Sequence, residues 1–379
     1  MSVRYRPYAQ VWAAVVAADF TLDQVRRRGV GLARQLVERG LSCLVAYDTR
    51  FMGGLFARDL VALLQTHGVR ASLAAAPVPL PAVYHALDQR VADTALCVSA
   101  GNQSYYINGL MLLADTAGLS LEPVDAAPPA TVFPPTVEPP VEQIVDVRKV
   151  YLKALRDAVE IDLIRRTSLT IFVDAMNGPG AGIFPALLGE NGQTRAIEIN
   201  REPDPLFARV PPTPVEHNLS RLKKLVRESD SHLGLAISAD GTAMALVDKH
   251  GEQLDPAETG MLLAAYLARQ HRQRGTVIIP APAAGTPLAG PANLTAWEDA
   301  TGLKIEIAAD PEAHLAKLLT RDRTAPVLVV TADGQFTLGR YARYPDGILA
   351  GLLCAEMVAR SSGNLRELID AQRKQLLQT

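Results

Sequence analysis

An α/β fold of three tandem, similar domains with mixed, mostly parallel sheets is what this sequence predicts, on three observations. Strand-like and helix-like segments alternate along nearly all of its 379 residues, as βαβ units do. A stretch with seven prolines, 121–142, divides the chain after its first third. A strand–turn–strand pattern recurs three times, which marks repeated architecture.

The elements follow in order. "LSCLVAY" (41–47) is a strand and a helix covers about 53–67. "ASLAAA" (71–76) precedes a helix near 80–90, and "TALCVS" (94–99) runs into a Gly/Asn/Ser turn and a returning strand. The prolines of 121–142 remove amide donors and lock φ, so the segment reads as an extended connector. Residues 147–159 have helical spacing. "LTIFVDAMNGPGAG" is a buried strand meeting a glycine-rich turn, followed by the helix "IFPALLGENG" and the strand "RAIEIN". Residues 214–229 read as one amphipathic helix, and "LGLAIS" and "MALVD" flank a tight turn. The last third adds the strands "TVIIPA", "KIEIAA", "PVLVVT" and "QFTLGRY", with helices around 291–301, 311–320, 346–360 and 364–377.

In each copy of the repeat an apolar strand ends in Ser/Thr-Ala, then turns and returns. The copies are Val98-Ser99-Ala100-Gly101-Asn102, Ile237-Ser238-Ala239-Asp240-Gly241 and Val330-Thr331-Ala332-Asp333-Gly334. Their uneven spacing excludes a solenoid. Ligands of open α/β sheets bind beyond the carboxyl ends of strands, so the three turns are expected to face one shared cleft.

Composition narrows the function. A net charge of −2, with 21% charged residues, gives no global attraction to nucleic acid or an anionic membrane. Arg26, Arg27 and Arg28 read as a solvated helix face. Cys43, Cys97 and Cys354 lie far apart without a CxxC, which argues against zinc or disulfides and suits a reducing cytoplasm. No apolar run reaches the roughly 20 residues of a spanning helix. "VWAAVVAA" (11–18) is followed at once by Asp19, so no signal peptide is expected. The histidines form no HxH or HExxH pattern. His314 reads as a helix-surface residue, and Trp12 and Trp297 as packing residues.

The order of several motifs resembles the α-D-phosphohexomutases, the phosphoglucomutase/phosphomannomutase superfamily. "AYDTRFMGGLFARDLVALLQTHGV" looks like the family's G-x-D-x-R strand and helix, and "APVPLPAVYHAL" like its V-P-T-P segment. "SAGNQSYYINGLML" stands where the family has T-A-S-H-N-P-x-x-Y-N-G-I-K. "FVDAMNGPGAGIFPALL", "EPDPLFARVPPTPVEHNLSRLKKLV" and "YPDGILAGLLCAEMVA" resemble V-D-x-M-N-G-x-G, E-P-D-x-x-F…P-x-P-x-x-x-N-L and R-D-G-I-x-A-x-L-x-x-x-E. The resemblance implies three tandem α/β/α domains: domain I over 1–120, the connector 121–146, domain II over 147–254 and domain III over 255–379. No segment like the family's fourth domain, with R-x-S-G-T-E-P, is seen before Thr379, and "RSSGN" (360–364) reads as a turn.

The family moves a phosphoryl group within a hexose phosphate through a phosphoserine, with a metal and surrounding cations. Carried over position by position, the phosphoserine falls on Gly101 and its neighbouring histidine on Asn102. The lysine after N-G-I falls on Met111. The metal loop D-G-D-x-D-R falls on Ser238 to Ala243, so the ligand positions become Ser238, Asp240 and Thr242. The sugar-reading loop falls on Val330 to Gln335 without glutamate or histidine, and the arginine of the N-terminal T-D-G-x-R segment becomes alanine within Ala9 to Ala14. Scaffold positions match: Asn108-Gly109, Asp174, Asn177-Gly178, Pro211 and Asp346-Gly347 read as turn, cap and packing residues.

No catalytic residue is therefore expected, and no cofactor, with Mg²⁺ only if residual family activity exists. Asp48, Arg50, Ser99, Asn102, Asp240 and Asp333 are the candidate binding residues, as remnants of the cleft loops. For Asp48 and Arg50 the simpler reading is a loop brace, for Asp240 and Asp333 an Asx-type turn, and for Ser99 a strand-end hydroxyl. The expectation is a catalytically inactive homologue that binds a partner, either its own copy or an active mutase. The alternatives are a sugar-phosphate binding module, an enzyme of altered chemistry using Asp48, Asp240 and Asp333, and a weak mutase.

Overall fold

The structure, a computed structural model, describes residues 10–114, 118–125, 143–209, 211–282, 291–321, 325–342, 344–361 and 364–377. Most of the expected connector, 126–142, and the centre of the "RSSGN" turn lie outside the described residues. The chain forms two compact units. The first comprises residues 1–153 with 177–179 and 202–212; the second comprises 154–176, 180–201 and 213–379.

In the first unit the elements run β1 (Gln10–Val15), α1 (Leu22–Glu38), β2 (Cys43–Tyr47), α2 (Gly53–Thr66), β3 (Ala71–Ala74), α3 (Leu80–Asp88), β4 (Thr94–Val98), β5 (Ile107–Ala114) and β6 (Ile144–Val145). They build a six-stranded sheet of order β1-β5-β4-β2-β3-β6. β2, β3, β4 and β6 pair in parallel, and β5 and β1 return antiparallel. Every residue of β4 is buried, as a central strand covered on both faces requires. The expected connector instead ends in β6, which adds to the sheet beside β3.

α1 starts at Thr21, whose hydroxyl accepts the Gln24 N–H. The expected solvated basic face fails here. Arg26 is buried and grips Asp59 of α2 through two hydrogen bonds, 2.9 and 2.6 Å. Arg28 lies over the Trp12 ring at 3.8 Å, where the aromatic face attracts its charge. Of the three arginines only Arg27 behaves as expected, pairing with Asp23 one turn back.

Along the rest of the chain follow α4 (Val147–Ala158), α5 (Ile161–Arg166), β7 (Thr170–Asp174), α6 (Ile183–Leu188), β8 (Arg195–Ile199), α7 (Ser220–Glu228), β9 (Leu233–Ile237), β10 (Met244–Val247), α8 (Pro256–Gln270), β11 (Gly275–Ile279), α9 (Pro291–Thr301), β12 (Leu303–Ile307), α10 (Pro311–Arg321), β13 (Leu328–Val330), β14 (Phe336–Thr337), α11 (Gly347–Arg360) and α12 (Leu365–Leu377). Two four-stranded sheets result, β10-β9-β7-β8 and β12-β11-β13-β14. Each is parallel apart from one hairpin strand. The fold is thus mixed α/β, with three mostly parallel sheets.

The single helix expected over 214–229 is divided. A short 3-10 turn covers Glu216–Asn218 and α7 begins only at Ser220. Asn218 bonds back to the Thr213 carbonyl at 3.0 Å, which offers the backbone an alternative to the helix.

α11 is the central helix of the second unit: Gly347 to Ala359 are all buried. It packs on β9, β10, α5 and α8. Asp346 caps it, accepting from the Leu349 N–H at 2.8 Å. Gly347 lets its first turn meet the β9–β10 hairpin, because its N–H reaches the Gly241 carbonyl at 2.9 Å. A Cβ there would stand 2.6 Å from the Ala243 carbonyl. Gly347→Ala is therefore expected to destabilise by about 2–3 kcal/mol. Gly180→Ala, where a Cβ would meet only Ile348 at 3.5 Å, should stay within about 1 kcal/mol. Thermal melts of both variants check this, and equal effects would count against the steric argument.

Cys43, Cys97 and Cys354 are free and buried, and burial pushes the thiols of Cys43 and Cys354 up to about 12. Trp297 is buried, while Trp12 stacks on Phe20. His314 pairs with Glu306 on a half-exposed face. Among the described residues no helix is long and apolar enough to cross a membrane.

Candidate functional site

The three repeated turns are the connections β4–β5, β9–β10 and β13–β14, one per sheet. All three share one clasp, in which a strand-end hydroxyl donates to a carboxylate and accepts a backbone N–H of the turn. Ser99 donates to Asp48 Oδ2 at 2.7 Å and accepts from Gly101 N at 3.0 Å. Ser238 donates to Asp240 Oδ1 at 2.7 Å and accepts from Ala243 N at 2.9 Å. Thr331 donates to Asp333 and accepts from Gln335 N at 3.0 Å. In the second and third turns the carboxylate lies two residues on, the spacing of an Asx-type motif. In the first it arrives from the end of β2.

Arg50 organises the first turn. Its side chain is 1% exposed. Nε donates to Asp48 at 3.1 Å. One terminal nitrogen bonds the carbonyls of Ser104 (3.0 Å) and Ile107 (2.8 Å), the other those of Gly101 and Gln103, both at 2.7 Å. All five guanidinium donors are thus satisfied inside the protein, four by backbone carbonyls and one by the Asp48 carboxylate. The Phe207 ring lies 5.0 Å away. Burial pushes the Asp48 carboxyl above the usual carboxylate range, while Arg50 and Ser99 pull it back. Gly101 sits at φ +58°, and Asn102 is half-buried beside it.

The second and third turns are joined. Met244 N donates to the Gly334 carbonyl at 2.8 Å, and Ala243 bridges to Gln335. Asp240 is buried, and its Oδ1 also accepts Thr242 N at 3.0 Å and Thr242 Oγ1 at 2.8 Å. Ser238, Asp240 and Thr242 thus offer one carboxylate, with both hydroxyls directed at it. No group of three or more His, Cys, Asp or Glu that could hold a metal occurs among the described residues. Asp333 is exposed, with Oδ2 taking the Gln335 amide at 3.0 Å. The structure therefore joins Asp48, Arg50 and Ser99 in one cluster, and the turns of Asp240 and Asp333 in another.

The scaffold positions act through the backbone. Asp174 accepts from Met176 N at 2.9 Å and holds Asn200. Asn108 accepts from Gly109 N at 2.8 Å. A Cβ at Gly109 would stand 2.6 Å from the Trp12 carbonyl and 2.8 Å from that of Ser99.

One polar cluster escapes the sequence reading. Glu356 of α11 is fully buried. It accepts from Tyr266, from His271 Nε2 at 3.0 Å and from Glu160 N at 2.8 Å. The other ring nitrogen of His271 lies 3.0 Å from the Tyr341 hydroxyl. Burial and Glu356 push the Tyr266 phenol well above its ordinary range, and burial raises Tyr341 too. A glutamate within an otherwise apolar helix, "GILAGLLCAEMVA", is the signal that could have found it.

Comparisons with known proteins agree with this architecture. The family models described as phosphoglucomutase/phosphomannomutase, alpha/beta/alpha domain I and domain II match residues 10–127 and 149–251. A phosphoglucosamine mutase of Chromohalobacter salexigens is 25% identical over 99% of this chain and 82% of its own. A phosphoglucosamine mutase of Teredinibacter turnerae is 28% identical over 69% of this chain, which spans only 58% of that relative. A phosphoglucomutase/phosphomannomutase of Thermococcus kodakarensis is 26% identical over 68% of this chain and 58% of its own. In fold, a crystal structure of a putative phosphomannomutase from Thermus thermophilus superposes with a TM-score of 0.79, covering 99% of this chain and 85% of that one at 23% identity.

Proposed function

Since the chain belongs to the phosphoglucomutase/phosphomannomutase family, we propose that it is a non-catalytic member that keeps the scaffold and serves by binding a partner. The observation that carries this reading is the first turn. Its phosphoserine position is Gly101, and the adjacent cation, Arg50, is committed to holding the turn closed. Gly101 has no side-chain oxygen to carry a phosphoryl group, and the nearby Ser99 hydroxyl is already held between Asp48 and the Gly101 N–H. Nor does the Ser238–Asp240–Thr242 set fit Mg²⁺, which needs several oxygens in near-octahedral array. No magnesium is assigned to the protein in this reading.

The relatives are named as mutases of phosphoglucosamine, phosphoglucose and phosphomannose. Coupled assays with glucose 1-phosphate, mannose 1-phosphate and glucosamine 1-phosphate, each with Mg²⁺ and a bisphosphate activator, are expected to show no turnover. Gly101→Ser alone should restore none, because the metal set and the charge-neutralising lysine are still missing. Turnover abolished by Asp240→Ala, or a covalent phosphate in the intact mass, would overturn the reading. The partner is a second copy or an active mutase, read out by light scattering and co-purification. Three buried free thiols suit a cytoplasmic setting.

A further inference from the structure

The Glu356 cluster opens at one end into a cleft of about 650 Å³, within the range of small-molecule sites. The end of α4 and α5 form one wall; His271 and the Arg340–Tyr341 segment form the other. We propose that this cleft binds a small oxyanion of the phosphate class, and that binding adds a proton to His271. The inference goes beyond the proposed function and does not depend on it.

The lining is dominated by guanidinium groups: Arg156, Arg165, Arg166 and Arg340. Arg156 and Arg165 are exposed, and their side chains make no hydrogen bond or ion pair among the described residues. Arg340 donates one N–H to the His271 carbonyl at 3.1 Å. The lining carboxylates are Asp157, Glu160 and Asp162. Glu160 is held by Arg360, and Asp157 is already engaged, so an excess of positive charge faces the cleft. A carboxylate presents two oxygens, which one guanidinium fork satisfies. Several guanidinium groups and a phenol suit the three or four oxygens of phosphate or sulfate.

The proton follows from counting. The Glu356 carboxylate can only accept, so Nε2 of His271 carries a hydrogen. In the neutral ring Nδ1 is bare, and Tyr341 spends its single proton on it. An oxyanion can only accept as well. For Tyr341 to donate to it, the phenol proton must turn outward, and Nδ1 must bind a proton and donate to the phenol oxygen. The resulting imidazolium is stabilised by Glu356 and disfavoured by Arg340 and Arg360. Tyr266 of α8 donates to the same Glu356 oxygen, and Glu160 adds a second negative charge beside Arg360.

Sulfate is the probe, because it does not itself titrate near neutral pH. Calorimetric titration of the full chain at low ionic strength is expected to show saturable binding. At pH 7.5, paired buffers of different ionisation enthalpy should reveal proton uptake coupled to binding. Arg156→Gln/Arg165→Gln, both on the surface, should weaken binding at least tenfold. Tyr341→Phe should weaken it and remove the buffer dependence. Absence of saturable binding, or unchanged affinity in the double arginine variant, overturns the site. Binding without proton uptake in the native protein overturns the His271 linkage. A phosphate ester (glycerol 2-phosphate) titrated alongside distinguishes an ester ligand from a bare anion by which binds tighter.

Discussion

Replacing Arg50 by methionine is expected to destabilise the protein by about 3–5 kcal/mol at neutral pH. The substitution keeps much of the side chain's volume beside Phe207 but removes five donors at once. The carbonyls of Gly101, Gln103, Ser104 and Ile107 lose a partner, and the buried Asp48 loses its counter-charge. Burial already holds the Asp48 carboxyl above its ordinary range, and without Arg50 it rises further. An acid raised in the folded state costs that state stability once it ionises. The Asp48 part of the penalty is therefore full above the substituted protein's raised value and fades as the pH falls towards about 4, the ordinary carboxylate value, as Asp48 takes up its proton in both folded proteins. The part due to the carbonyls persists at every pH. Denaturant titrations at pH 4 and 7 separate the two. A loss below about 1 kcal/mol at both would show that Arg50 does not brace the turn.

Glu356→Leu is expected to cost a similar amount, about 3–5 kcal/mol. The leucine fits an apolar helix, but it strands the Tyr266 phenol, the His271 ring N–H and the Glu160 amide at the start of α5. Each buried donor left alone costs roughly 1–3 kcal/mol. Glu356→Gln keeps an acceptor and should lose less than half as much. Melting temperatures rank the variants, and hydrogen exchange at the Glu160 amide localises the damage. If leucine were neutral or stabilising, the cluster would be dispensable polar decoration in a helix held by its apolar neighbours.

Both effects are large for a reason that also governs what could be read from the sequence. Elements defined by nearby residues were legible. β4 shows itself as an unbroken apolar run, and α11 by its Asp346–Gly347 start. The threefold Ser/Thr-Ala turn is visible because each copy is one hairpin whose hydroxyl and N–H partner lie within five residues. Interactions between distant parts were not. Arg26 looked solvated because Asp59 is 33 residues away. Arg50 bonds backbone carbonyls, and a carbonyl carries no residue identity. The partners of Glu356 lie 85, 90 and 196 residues away, so only its misplaced charge hinted at them. Periodicity suggests one helix over 214–229 because it records the apolar spacing but not the Asn218 bond that interrupts it.

The first unit also borrows residues 202–212 from far along the chain, and Phe207 beneath Arg50 is among them. During translation its core therefore stays unfinished until residues 202–212 have left the ribosome. Expression of residues 1–153 alone would yield a fragment missing part of its own interior, and a dissection into independent pieces has to respect that crossing rather than the linear order of the domains.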